Sequence, residues 1–165
     1  MKVRFAPSPT GHLHIGNFRT ALVNFLFARK NNGHFMLRID DTDQERSLIE
    51  YENAIKEDLS WMNIGWDSLE KQSSRLSCYD NALQILLNKK RAYPCFETAD
   101  ELSLKRKSQL SSGKPPIYDR SSLKLSDSEI ADLKSKGKKP HYRFLLNHVD
   151  VIWDDLVKGK SKYNM

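Results

Sequence analysis

Arg4-Phe5-Ala6-Pro7-Ser8-Pro9-Thr10-Gly11-His12-Leu13-His14-Ile15-Gly16-Asn17, running directly into Phe18-Arg19-Thr20-Ala21-Leu22, is the stretch that decides the fold. Val3–Phe5 reads as a short buried strand, stopped by Pro7 and Pro9. From about Asn17 to Lys30, Phe18, Ala21, Leu22, Phe25 and Leu26 recur at helical spacing, and Asn31-Asn32-Gly33 is a strong stop. Phe35-Met36-Leu37-Arg38-Ile39 reads as a second strand. Strand, helix and strand in this order form a βαβ unit, which normally makes two parallel strands. Ligands of such sheets bind beyond the carboxyl ends of the strands, where both the Ala6–Gly11 turn and Asp40–Asp43 fall. The turn delivers His14 to the first turn of the helix, where unpaired backbone N–H groups and the helix dipole favour an anion. Gly16 leaves the backbone open to a ligand, and His14 can donate to a phosphate oxygen.

The string resembles the His-Ile-Gly-His signature of class I aminoacyl-tRNA synthetases. With Arg4, Ala6, Ser8, the Thr10-Gly11 turn and Arg19-Thr20-Ala21-Leu22, it is similar to the glutamyl/glutaminyl branch, and within it to bacterial-type glutamyl-tRNA synthetases. The resemblance implies an α/β chain: the N-terminal half of a Rossmann-like nucleotide fold, residues 1–90, followed by a small α+β connective insert, residues 91–165. It implies ligation of glutamate to tRNA(Glu) through an ATP-dependent glutamyl-adenylate, with Mg²⁺ accompanying ATP as substrate. His14, Gly16 and Asn17 then carry catalysis, and Thr10, Gly11, His14, Gly16 and Asn17 bind ATP. Arg4, Ala6, Ser8 and Asp40 bind glutamate. A guanidinium at Arg4 offers a planar fork for a carboxylate.

Asp40-Asp41-Thr42-Asp43, followed by Arg46, is the second constellation. Its carboxylates could bind Mg²⁺ or cap the following helix. The family pattern is Arg-Ile-Glu-Asp-Thr-Asp-x-x-Arg, so Asp40 keeps the charge of a substrate-binding glutamate with one methylene less reach. Thr42, Asp43 and Arg46 are expected at the floor of the site and the tRNA 3′ end. Some bacterial relatives hold zinc with Cys-x-Cys plus a later Tyr and Cys. Here those positions are Cys95, Glu97, Tyr118 and Ser122. With two thiolates gone, zinc is not expected, nor is the glutamyl-queuosine relative, and Cys95 reads as a core residue.

Charge and composition agree with this reading. Residues 1–60 carry eight basic and eight acidic side chains, and residues 61–88 two and three. Residues 89–165 carry seventeen basic and ten acidic side chains, a net of +7, so the whole excess lies where the insert would meet a polyanion. No apolar run approaches the ~20 residues of a membrane span, and no signal-peptide pattern is present. Two lone cysteines, Cys78 and Cys95, fit a reducing cytoplasm. No obligate protein partner is evident.

Further along, Ser47 and Glu50 form a possible capping box for a helix with Leu48, Tyr51, Ile55, Leu59 and Met62 inward. A third helix spans about Tyr79–Lys90, with Leu83, Leu86 and Leu87 inward. A fourth runs from about Thr98 to Leu110, and a fifth starts at Ser126, with Glu129 three residues on. Tyr142–Leu146 and Val149–Trp153 read as strands that could pair with each other. The Lys-Met-Ser-Lys-Ser loop and the anticodon-binding domain of a complete synthetase are not found. Lys158–Lys162 matches a segment upstream of that loop. The chain therefore reads as an N-terminal piece, expected to be inactive alone. Two other readings compete: an RNA-binding module that has lost the chemistry, and a nucleotidyltransferase with a similar corner. Pro-Ser-Pro-Thr-Gly and Asp-Asp-Thr-Asp speak against the latter.

Overall fold

Lys2–Phe5 (β1) and His34–Ile39 (β2) lie parallel, with Val3 beside Phe35 and Phe5 beside Leu37, joined by the helix Ile15–Lys30 (α1). The computed structural model describes residues 1–147 and 149–163. Along β2, Phe35, Leu37 and Ile39 are fully buried while His34, Met36 and Arg38 are half-buried, the period-two pattern of a strand with one dry face. Ala21 and Ala28 of α1 are also fully buried, and Phe18, Leu22 and Phe25 pack on the same core. Leu26, expected inward, is 55% exposed and lies off that stripe. The stop after α1 forms as expected: Asn31 caps it, Asn32 turns left-handed at φ 47°, and a Cβ on Gly33 would lie 2.8 Å from the Met1 carbonyl oxygen.

The sheet has a third strand, Ser68–Lys71 (β3), parallel to β2, which periodicity did not reveal. Asp67 anchors its start, accepting the Phe35 N–H at 2.6 Å and the Arg29 guanidinium at 3.1 Å. The intervening helix Ile49–Trp61 (α2) buries Ile55 and Leu59. Leu48 and Met62 at its ends are exposed, against expectation. The Ser47–Glu50 capping box does not form. Leu48 is the capping residue, held extended while its N–H donates to the Pro9 carbonyl at 3.0 Å, so the helix begins too late for Ser47 to cap it.

The chain divides into two compact units, Met1–Asp80 and Asn81–Met165, the division falling within the helix Leu76–Asn88 (α3). Leu83, Leu86 and Leu87 of α3 are half-buried. In the second unit, Ala92–Cys95 (β4) pairs antiparallel with His141–Phe144 (β5). Val151–Asp155 (β6) pairs with Gly159–Tyr163 (β7) in a separate hairpin. The expected pairing of the 142–146 and 149–153 segments is therefore wrong, because each takes a partner that sequence patterning did not show. Helices Ala99–Ser111 (α4) and Asp127–Ser135 (α5) both start with complete capping boxes, Thr98 with Glu101 and Ser126 with Glu129. No helix among the described residues is long and apolar enough to cross a membrane.

Candidate active site

The loop leaving β1 and the start of α1 enclose an open cavity of about 530 Å³. Arg4, Ala6, Ser8, Thr10, Gly11, His14 and Asn17, drawn from the sequence-predicted set, all line it. His12 and Thr20 line it as well; their only signal in the sequence is proximity to the signature. His12 also meets Tyr51 of α2 edge-on, with ring centroids 5.3 Å apart. Backbone hydrogen bonds tie the two strand ends together: the Asp40 N–H donates to the Pro7 carbonyl at 2.9 Å, beside the Leu48–Pro9 bond.

His14 caps α1 rather than sitting in its first turn. Its backbone is extended, its Nδ1 accepts the Gly16 N–H at 3.0 Å, and its own N–H donates to Asn17 Oδ1 at 3.4 Å. The space beside Gly16 is filled by the His14 ring, since a Cβ there would lie 2.8 Å from Cε1. The glycine therefore makes room for the histidine itself.

Asp40, Thr42, Asp43 and Arg46 are not among the residues lining the cavity, and the acids turn to different partners. Arg38 forks onto Asp40 at 2.6 and 2.8 Å, and this hydrogen bond, against the opposing effect of burial, raises the Arg38 pKa. Asp43 accepts from Arg46 at 2.7 Å, which lowers its pKa, and Thr42 is exposed. Asp41 is buried; burial pushes its pKa up, but hydrogen bonds from Ser73, whose N–H donates at 2.9 Å, outweigh it and leave the pKa lowered. Behind it, Lys71 Nζ lies 3.6 Å from Asp41 and donates at 2.6 Å to buried Glu52, which also accepts from Lys56 at 2.7 Å. Burial raises the Glu52 pKa and these lysines outweigh it. Neither Glu52 nor Lys71 stands out in the sequence, because nineteen positions separate the pair.

The profile for class I tRNA synthetases (E and Q), catalytic domain, matches residues 1–165. The chain belongs to this family. A glutamate–tRNA ligase 1 from Rickettsia rickettsii is 58% identical over 161 residues, and one from Rickettsia bellii 56% over 160. A crystal structure of a glutamate tRNA ligase from Elizabethkingia meningosepticum, in complex with its amino acid, superposes with a TM-score of 0.89 at 33% identity over 99% of this chain. The chain spans 36% of the length of each of these relatives. The three-stranded parallel sheet with its helices is the α/β arrangement of the class I synthetase fold.

In the second unit of this synthetase-family chain, the positions compared with a zinc site come together. Cys95 Sγ, a Glu97 oxygen and a His141 ring nitrogen lie within 4.8 Å of one another, and the carboxylate is already engaged. Glu97 accepts from Tyr118 at 2.6 Å, Ser121 at 2.9 Å and Ser122 at 3.0 Å. Burial pushes the Glu97 carboxyl up, yet these hydroxyls and its own backbone N–H hold it at about 2.

Proposed function

We propose that residues 1–90 form half of a glutamate-activation site and that residues 91–165 form an insert that meets the acceptor end of tRNA(Glu). The observation that carries this reading is the cavity at the carboxyl end of β1, lined by Arg4, residues of the loop that follows it and the capped start of α1. A parallel sheet binds ligands there, and a helix start favours phosphate. In the proposed reaction a glutamate α-carboxylate oxygen attacks the α-phosphorus of ATP. The acyl–phosphate bond forms as the bond to pyrophosphate breaks, and pyrophosphate leaves with its electron pair. A hydroxyl of the tRNA 3′ end then attacks the acyl carbon and AMP departs.

Arg4, with Ala6 and Ser8, holds the side-chain carboxylate of glutamate. Asp40, paired with Arg38 outside the cavity lining, is assigned to the amino group by the family pattern alone. Thr10, Gly11, His14 and Asn17 form the ATP side, with Gly16, which does not line the cavity, leaving room for the His14 ring, and a donor from His14 opposes charge developing on phosphate. Mg²⁺ arrives with ATP. Thr42, Asp43 and Arg46 serve the tRNA end. No zinc is needed, since Glu97 and its hydroxyl donors supply the link that thiolates and metal would otherwise make. The site works in the cytoplasm.

Calorimetric titration of this chain with ATP and with glutamate tests the assignment. Arg4→Ala should weaken glutamate at least tenfold and leave ATP unchanged, whereas His14→Gln should weaken ATP. Equal binding by either variant and the parent refutes the role of the residue changed. A second reading, an RNA-binding module, is favoured by the net +7 of residues 89–165. Gel-shift binding of acceptor-stem RNA without any ATP binding would select it.

A further inference from the structure

We infer that the second unit holds a small-molecule site of its own, a cavity lined by α4, the 116–119 segment and Arg143 of β5, which takes a carboxylate bearing an apolar ring. The cavity measures about 600 Å³ and shares no residue with the one at the end of β1. Along β5, His141 and Arg143 are half-buried while Tyr142 and Phe144 are exposed, so strand alternation turns Arg143 inward. Its guanidinium lies over the Tyr118 ring, 3.8 Å from the centroid, and its Nε is buried with no hydrogen-bond partner. The acids at hand, Asp119 and Glu97, lie 3.1 and 3.9 Å from Lys105, and neither forms an ion pair with Arg143. The Ser121 N–H and the Lys105 ammonium hold Asp119 at about 2, so that pair stays charged and closed at neutral pH. Lys105, Arg106 and Arg143 line the cavity against Asp119 alone, which leaves two positive charges there uncompensated.

A buried donor without an acceptor is costly, and a carboxylate seated against Arg143 relieves it, because the planar guanidinium offers a fork that matches two carboxylate oxygens. The rest of the wall asks for an apolar body. Leu104 and Ile117 line the cavity with Pro116, yet they are 66% and 67% exposed to water. Gln109 donates to the Ile117 carbonyl at 2.7 Å, which fastens that segment to α4 and leaves the wall formed before any ligand arrives. A few placed polar groups among apolar side chains, in a volume of this size, make up a small-molecule site. An RNA strand is held differently, by a succession of cations that follow its phosphates along a groove. Here one inward arginine stands among leucine, proline and isoleucine, so the geometry selects a single anionic head with a ring behind it.

The test is a titration of the ¹⁵N-labelled chain with cinnamate and with its uncharged counterpart cinnamamide, followed by amide chemical shifts. Cinnamate should bind in the low millimolar range or tighter, as befits a ligand of its size, with the largest shifts at Leu104, Ser108 and Ile117. Cinnamamide should bind about tenfold more weakly, since it lacks the charge that Arg143 receives. Arg143→Met should lower the affinity for cinnamate about tenfold and leave that for cinnamamide unchanged, a split that a folding defect would not give. Ile117→Asp, at an exposed position, should weaken both ligands, and it decides the matter even where Arg143→Met fails to fold. Failure of cinnamate to bind, equal binding of the two ligands, shifts centred outside the cavity, or unchanged binding by Ile117→Asp overturns the site. Displacement of cinnamate by acceptor-stem RNA would give the cavity to RNA and overturn it as well.

Discussion

Replacing Glu97 by Gln should remove the share of the second unit's acid sensitivity that this carboxylate carries. The side chain is 14% exposed, and both oxygens accept hydrogen bonds: Oε1 from Tyr118 and Ser121, Oε2 from Ser122. Its pKa is held at about 2 against an ordinary 4.5. At about 1.4 kcal/mol per pH unit, that difference corresponds to about 3 kcal/mol of stabilisation. The folded-state pKa is depressed, so the contribution is complete above the unfolded value of 4.5 and is lost as pH falls toward about 2. Glutamine carries no charge, and one of its two oxygens becomes an NH₂ group facing hydroxyl donors. Glu97→Gln should therefore lower stability at pH 7 by about 2–3 kcal/mol. Between pH 4.5 and 2 the gap between variant and parent should close. The assay is urea unfolding followed by far-ultraviolet circular dichroism at a series of pH values, with Tyr118→Phe as a companion that removes one donor. Parallel curves for Glu97→Gln and the parent from pH 7 to pH 2 would show that the carboxylate does not fasten this unit.

The first unit allows two further tests. Leu59 of α2 is fully buried, so Leu59→Ala should cost about 2–5 kcal/mol through lost contacts and a residual cavity, read as a lower urea midpoint at unchanged slope. Lys71→Met leaves Asp41 and Glu52 buried with one ammonium fewer and should cost about 1–3 kcal/mol at pH 7. Both acids have pKa values lowered from 3.8 and 4.5, so the benefit of Lys71 is present above those values and fades as pH falls below them. The difference between Lys71→Met and the parent should shrink below about pH 4. A constant difference from pH 7 to pH 3 would contradict the ion-pair account.

Where the sequence is legible, the deciding interactions are local. The spacing of Phe18, Ala21, Leu22 and Phe25 places α1 against β2, and Ser126 with Glu129 starts α5 on the expected residue. Arg4, Ser8, Thr10, Gly11, His14 and Asn17 are near neighbours along one turn, so their convergence on a cavity follows from that turn. The Asp40–Asp43 acids illustrate the limit. Their spacing permits a shared cation, but Arg38, Ser73 and Arg46 draw the three carboxylates to separate partners. The Ser47 box fails for a similar reason: the Pro9 carbonyl takes the Leu48 N–H and holds that residue extended.

Residue order alone carries the family, the βαβ start, the capped helices of the second unit and the residues that meet at the end of β1. The packed chain adds that Ser68–Lys71 joins the sheet beside β2, that β4 pairs with β5 and β6 with β7, and that Glu52 and Lys71 stand behind Asp41. It also showed that the missing side chain of Gly16 makes room for His14. Helical periodicity and capping depend on residues within a turn or two of each other, so they can be read along the chain. Strand partners and buried charge pairs depend on which distant segments close together, and residue order does not carry that distance.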